Sequence, residues 1–481
     1  MYTFQDFEEA VRNGNKLGFV ASAIQEHRNS PMCCTAQDAD LYDRQRNVTI
    51  NNYVKTIFTL TGSPVEDFTA SNSKLASNFF HRLNTQRCTY SLGNGLSFTR
   101  KEERVDKTGK TTTVDLTKEA LGPKFDTDFS HAGYLALIHG VSFCFWNVDR
   151  LYVFPLTNFV PLWDEYEGTL RAGIRFWRLA KDKPISAVLY EEDGYTKYRS
   201  TNDSDISLQE VQAKKAYKTT VEFTPYGDGE EAIIGEENYG SLPIVPFWGS
   251  RLHQSTLVGM RQKIDSYDLI HSGFANDLTD CAQIYWILEN CSGMTQKELA
   301  RFRDQLKITH IANADTSNGG KVTPYTQEIP YQARKTCLDD LRSSIYEDFG
   351  GLDVHTVAAG ATNDHIDAAY QPMDENADDF EYQAIECVQQ ILSLIGVEDT
   401  PIFKRNRVSN QKEQVDMVIA EAPYLDDETI LQKLPNISPD EIQDILARRD
   451  AAAQNRMEDE DEDDEEGQEE PFPGPENEGE E

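Results

Sequence analysis

From Leu257 onward, apolar side chains recur at Leu257, Met260, Ile264, Tyr267, Ile270, Phe274, Leu278, Cys281 and Tyr285. Steps of three and four keep them on one side of a helix, a stripe of roughly eight turns and about 45 Å at 1.5 Å per residue. Ahead of it, LPIVPFWGS (242–250) reads as a strand punctuated by Pro243 and Pro246 that passes through a short loop into the helix. Beyond it, Thr295 and Glu298 form a capping box for a short helix, and two strands flank a turn at Asn318–Gly319–Gly320. A second helical pattern, YQARKTCLDDLRSSIYEDF (331–349), aligns Leu338, Leu341, Ile345 and Phe349. A long helix thus leads out to a small α/β knob and another helix brings the chain back. On periodicity alone, the long helix is a core element of an ordinary α/β domain.

The first forty residues read as two amphipathic helices. LYDRQRNVTINNYVKTIFTLTGSP (41–64) reads as a polar loop feeding a short apolar helix that stops at Gly62–Ser63–Pro64. NSKLASNFFHRLNTQRCTYSL (72–92) predicts a helix with Leu75, Phe79, Leu83 and Cys88 on one side. From 98 to 250 the pattern is dominated by β-rich runs and hairpin turns at Thr108–Gly109 and Asp193–Gly194, which indicates a substantial antiparallel sheet in an α+β domain. Gly350, Gly351 and Gly360 mark a flexible stretch. After it, ENADDFEYQAIECVQQILSLIG (375–396) carries Phe380, Ile385, Val388, Ile391, Leu392 and Ile395 along one side of a helix. Its first half is crowded with acids, as the positive end of a helix dipole favours. Residues 405–456 are nearly all helical signal with short breaks, with Asp426 and Ser438–Pro439 as helix starts.

Charge changes this picture most. The net charge is −36, and residues 458–481 hold 15 acidic side chains and no basic one. That stretch reads as a disordered tail, but the body remains strongly acidic without it. Tight DNA binding relies on Lys and Arg neutralising phosphates, so a protein of this charge that meets DNA passes it along rather than holding it. There is no run of eighteen apolar residues, and MYTFQDFEEAVRNG lacks the regions of a signal peptide; a soluble protein made in a cytoplasm is expected. The 8 cysteines are scattered without a CxxC pair, which suits reduced thiols.

Candidate chemistry is sparse. The chain has no GxxxxGK[ST] loop, no GxGxxG after a strand, no GxSxG and no HExxH. Two acidic constellations stand out, Asp364–His365 with Asp367 and the pair Asp265/Asp268. The first reads as a solvated loop and the second as a polar face between helices. No catalysis, metal or cofactor is expected. The competing readings are a nucleic-acid enzyme working through Asp/Glu-bound metal and a structural or adaptor protein of a larger assembly.

The order of these features resembles the portal proteins (head–tail connectors) of tailed bacteriophages, in the siphophage-type branch. Four stretches carry the likeness, spread over roughly residues 40–450: YDRQRNVTINNYVKTIFTLTGSP; LPIVPFWGS with IDSYDLIHSGFANDLTD and WILEN; the knob followed by LRSSIYEDFGGLD; and APYLDDETILQKLPNISPDEIQDIL. The resemblance implies an α+β portal fold with a mixed α/β wing, a long-helix stem, a small α/β clip, a tunnel loop, a helical crown and a disordered acidic C-terminal tail. On this sequence the wing would be 1–250, the stem 251–289 and 331–349, and the clip 290–330. The tunnel loop would be 350–365, the wing/tunnel helix 366–408, the crown 409–457 and the tail 458–481.

The same resemblance implies a non-enzymatic, homo-oligomeric ring of about twelve subunits at one capsid vertex, with host cytoplasm as the place of assembly. Its partners would be double-stranded DNA passing through the channel, the terminase large subunit, major capsid and scaffolding proteins, and head-completion or adaptor proteins; no membrane and no cofactor are implied. The tunnel loop would comprise Val354, His355, Thr356, Val357, Ala358, Ala359, Gly360, Ala361, Thr362 and Asn363, small and neutral enough to follow DNA by shape. Asp374, Glu375, Asp378 and Asp379 would line the channel as a negative collar. Leu257, Met260, Ile264, Tyr267, Ile270, Phe274, Leu338, Leu341 and Ile345 would pack the stem, with many contacts supplied by neighbouring subunits.

Overall fold

A computed structural model describes residues 2–58, 62–68, 70–105, 111–201, 207–222, 232–281, 285–289, 295, 297, 301, 321–325, 330–353 and 363–406, with short pieces between 415 and 448. The chain divides into two units, the first comprising Met1–Asp353 with Gln371–Asn406 and the second the remainder. The described elements mix helix and sheet, in keeping with the α+β class.

A five-stranded antiparallel sheet in the order Leu208–Lys215, Gly194–Ser200, Ser186–Glu191, Leu170–Trp177 and Phe159–Trp163 forms one layer. Alternation of side chains along a strand gives it two apolar faces. Ala187 and Leu189 join Ile174 and Phe176 under the N-terminal helices Phe4–Arg12 and Lys16–Arg28, which contribute Phe7, Phe19, Val20 and Ile24. Val188 and Tyr190 face the other way, into a cluster with Phe143, Phe145, Phe154 and Tyr217. The expected hairpin turn forms where Glu191 pairs with Gly194. Gly194 has φ +141°, and a Cβ there would lie 2.3 Å from the Lys215 carbonyl oxygen.

A three-stranded sheet in the order Ile244–Trp248, Val141–Asn147 and Arg150–Pro155 forms the second layer. Pro246 is tolerated because Ile244–Trp248 is an edge strand, where a missing N–H breaks no ladder. Helix Phe125–His139 and the later part of helix Asn363–Leu394 close this sheet through a stack of rings, Phe129 on Phe247 at 5.0 Å and Phe247 on Phe380 at 5.5 Å. The edge strand then turns at Gly249, whose N–H donates to the Gly140 carbonyl at 3.1 Å. A Cβ on Gly249 would come within 2.4 Å of the Ala136 carbonyl oxygen, so only glycine lets the chain pass this close. Thr256 N–H donates to the Leu137 carbonyl at 3.1 Å. These contacts fix where the long helix, Leu257–Cys281, leaves the body.

Four expectations are corrected here. The long helix ends at Cys281, and Tyr285 opens a strand, Tyr285–Glu289, that pairs antiparallel with Lys321–Tyr325. The run Tyr-Trp-Ile-Leu has aromatic and β-branched preferences for strand, and its fit to the helical spacing was coincidental. Of the two strands expected beside Asn318–Gly320, the preceding one lies outside the described residues. The helix expected over 72–92 begins at Phe79; Ser and Asn upstream favour caps and turns over helix, and backbone N–H groups there are engaged elsewhere. In place of a short apolar helix after Asn51 there is a hairpin, Thr56–Phe58 with Pro64–Glu66. Finally, the acidic helix starts at Asn363 and runs through Pro372. Its acids at 374–379 therefore lie about three turns in, beyond the reach of the helix dipole, and His365 and Asp367 are helical rather than in a loop.

Among the described residues, no helix is long and apolar enough to cross a membrane. Cys33, Cys88, Cys144 and Cys387 are buried, Cys34 and Cys337 are exposed, and all six are free.

Candidate functional site

The long helix and the return helix, Tyr331–Phe349, form an antiparallel pair. At its base Lys263 Nζ donates to Ser344 Oγ at 2.5 Å and pairs with Asp348. At its far end Arg334 pairs with Asp277, and Phe274 lies 5.7 Å from Tyr331. Those contacts set the register. The apolar stripe that predicted the long helix is buried unevenly. Leu257, Met260 and Ile264 belong to one buried cluster with Ile345, Tyr346 and Phe349. Tyr267 is half-buried, edge-on to Phe79 at 5.0 Å. Ile270, Phe274, Leu338 and Leu341 are only partly covered, and Leu278 is 54% exposed. The first half of the stripe is a core face, and the second half is only partly covered by the described residues.

A second stripe on the same helix is polar. Asp268, Ser272 and Asn276 are buried, and they accept hydrogen bonds from the backbone N–H groups of Ser77 at 2.9 Å, Leu75 at 3.0 Å and Ser73 at 2.6 Å. Steps of four along a helix rise about 6 Å, and steps of two along an extended chain rise about 6.6 Å. The two repeats match, so an extended segment hangs from the helix by alternate N–H groups. Upstream, Asn47 Nδ2 donates to Asp268 at 2.8 Å, and the hydroxyls of Thr49 and Tyr42 donate to Asp265 at 2.6 and 2.5 Å. Burial, with Asp265 as its acceptor, pushes the Tyr42 phenol up to about 12. The Asp265/Asp268 pair is thus a clasp for two chain segments. Sequence reasoning missed the anchored segment, though polar residues at 265, 268, 272 and 276 were a visible signal.

Burial raises the Asp268 carboxyl above its ordinary value, against the hydrogen bonds from Ser77 and Asn47. A carboxyl with a raised folded pKa binds its proton more tightly folded than unfolded. Its favourable contribution is therefore complete below the unfolded value, about 3.9, and is lost as pH rises through the folded one. Asp268→Asn is expected to gain stability relative to wild type as pH rises from about 4 towards neutrality, read as the difference in urea midpoints. A difference independent of pH would refute this.

The acids of helix Asn363–Leu394 are organised by two arginines. Arg405 Nη1 donates to Asp374 at 3.0 Å, its Nε and Nη2 grip Glu381 at 3.0 and 2.9 Å, and Nη2 also reaches Asp378. Glu381, then Asp378, hold the guanidinium pKa above its ordinary value against burial. Tyr90 Oη donates to Asp374 at 2.6 Å. Arg251 Nε donates to Asp379 at 2.7 Å. Glu375 is exposed, accepting from Gln371 at 3.4 Å. Three of the four residues expected as a collar are therefore ion-paired within the subunit, and three carboxylates sharing Arg405 leave that group negative. Of the residues expected in the tunnel loop, Val354 to Thr362 lie outside the described residues, and Asn363 opens the helix. Among the described residues, no group of three or more His, Cys, Asp or Glu is placed to hold a metal ion.

Residues 36–455 match the family described as phage portal protein, SPP1 Gp6-like. A portal protein of Clostridium phage phiCD119 is 29% identical over 218 residues, which cover 44% of this chain and 48% of that protein. A portal protein of Bacillus phage SPP1 is 22% identical over 341 residues, covering 67% of this chain and 62% of that protein. The chain thus spans about half to three-fifths of the length of these relatives.

Proposed function

The chain belongs to the SPP1 Gp6-like family of phage portal proteins, and on that footing we propose that about twelve copies close into a ring at one capsid vertex, through which double-stranded DNA enters and leaves. The observation that carries the ring is the stem hairpin, whose apolar stripe is buried at the base and uncovered towards the tip. Each subunit offers its uncovered half to a neighbour, and head-to-tail contacts repeated around a closed ring satisfy every copy. Residues 1–250 serve as the wing, 290–330 as the clip that docks the terminase large subunit, and 409–457 as the crown. Capsid, scaffolding and head-completion proteins meet the ring outside the channel.

In this reading the acidic helix borders the channel. Arg405 and Arg251 hold Asp374, Asp378 and Asp379 in place, and the remaining negative charge repels phosphates within roughly 8–10 Å. DNA slides without sticking. Residues 354–362 serve as the tunnel loop that follows its surface. The purified protein is expected to run in native mass spectrometry at about twelve times 54.5 kDa, with a central hole in negatively stained images. A monomer, with or without magnesium-dependent cleavage of DNA, overturns the reading.

A further inference from the structure

The hairpin Thr56–Phe58/Pro64–Glu66 is uncovered on both faces: every residue of its two strands is exposed. Phe58 is 75% exposed, and Phe68 just beyond it 84%. Ile57 and Val65, paired across the ladder, are exposed as well. An isolated two-stranded hairpin is marginal in water, and such an apolar one calls for cover. Its legs, by contrast, are firmly held. Asn47 and Thr49 before it, and Ser73, Leu75 and Ser77 after it, are tied to the polar stripe of the long helix. Lys74 Nζ joins the legs through the Asn51 carbonyl at 2.5 Å. The subunit thus holds out an apolar arm on a fixed mount.

The same stem carries an apolar groove of about 350 Å³ lined by Ile270, Gly273, Ala333, Arg334 and Cys337. At 3.6 residues per turn, Ile270 and Gly273 point roughly 100–150° away from the middle of the anchoring stripe. The mount of the arm and the groove therefore lie on different sides of one helix, as a head-to-tail contact requires. They also share a level, since the legs attach over Asp265–Asn276 and the groove spans Ile270–Gly273. Rotation about a ring axis carries each level of a stem to the same level of the next.

We propose that the hairpin of one subunit docks Phe58 and Phe68 into the Ile270–Cys337 groove of the adjacent copy, an inference that rests on the ring reading. The groove is roomy enough for a ring, given that a cavity of about 150 Å³ admits benzene. Phenylalanines bury about 150–250 Å² each, so the pair supplies a large share of the ~800 Å² per partner of a standard interface. Charge is compatible: the arm carries exposed Glu66, and exposed Lys335 follows Arg334, which lines the groove and pairs with Asp277.

Exposed Cys337 makes the test direct. Phe58→Cys, oxidised with diamide, is expected to give a ladder of covalent multimers up to the full ring on a non-reducing gel. The ladder should vanish when Cys337→Ser is added. Phe58→Asp with Phe68→Asp is expected to raise at least tenfold the concentration at which half the chains are in rings, with the subunit's circular-dichroism melt unchanged. Phe58→Cys rings that give no ladder on oxidation, a ladder that survives Cys337→Ser, or rings indifferent to the double substitution overturn this contact and leave the ring standing. Wild-type protein that never assembles overturns the ring and this contact together.

Discussion

Arg405→Ala is expected to destabilise the first unit by about 2–4 kcal/mol, a little under the cost of breaking a fully buried ion pair. The discount reflects exposure: Arg405 keeps 24% of its side-chain surface, and Asp378 is exposed. The cost stays large because of what is left behind. Glu381, 11% exposed, loses the two guanidinium donors that grip it, and Asp374 is left with its hydrogen bond from Tyr90 among neighbours whose repulsion Arg405 no longer offsets. Arg405→Lys should recover only part, because one ammonium cannot grip Glu381 with two parallel donors while reaching Asp374 and Asp378. Adding Glu381→Gln to Arg405→Ala should recover more, by removing the least solvated charge. The first thermal transition should fall by roughly 5 °C for the single variant. An unchanged transition would show that the cluster is a surface decoration.

That cluster also marks where the sequence misled. Acids at 374–379 are visible in the sequence, but Arg405 and Arg251 lie roughly 25 to 130 residues away, and no local pattern announces a distant partner. The helix start was misplaced for a related reason. Gly350, Gly351 and Gly360 read as a flexible stretch running up to residue 375, yet the helix starts at Asn363 and continues through Pro372. What the sequence made legible was periodic: the long helix, the return helix with Leu338, Leu341 and Ile345, and the Asp193–Gly194 hairpin. Each rests on a repeat that the backbone imposes locally. The anchored segment 71–78 was lost because its N–H groups are satisfied by side chains of a helix some 190–200 residues later, which local propensity cannot anticipate. The apolar run around Phe58 reads as a short helix, whereas Thr56–Phe58 pairs with Pro64–Glu66 as a hairpin.

Ile345→Ala is expected to cost about 2–5 kcal/mol, the range for removing a fully buried isoleucine side chain without collapse of the site. Ile345 is completely buried in the cluster that holds Leu257, Met260 and Ile264, where both stem helices meet the body, so the cavity has walls on every side. Leu278→Ser, at the other end of the same stripe, should move the subunit's melt by less than about 0.5 kcal/mol, as exposed substitutions do. The contrast separates two roles that one periodicity conceals. If the upper half of the stripe belonged to a hidden core of the subunit, both changes would destabilise the isolated chain. If it belongs to the neighbouring subunit, Ile345→Ala unfolds the subunit more easily at any protein concentration, whereas Leu278→Ser shifts only the concentration at which rings form. Urea melts of the dissociated chain, set beside native mass spectra over a dilution series, decide between them. A melt for Leu278→Ser as low as that for Ile345→Ala would mean that the stripe is an intramolecular core along its whole length, and the stem reading would fall with it.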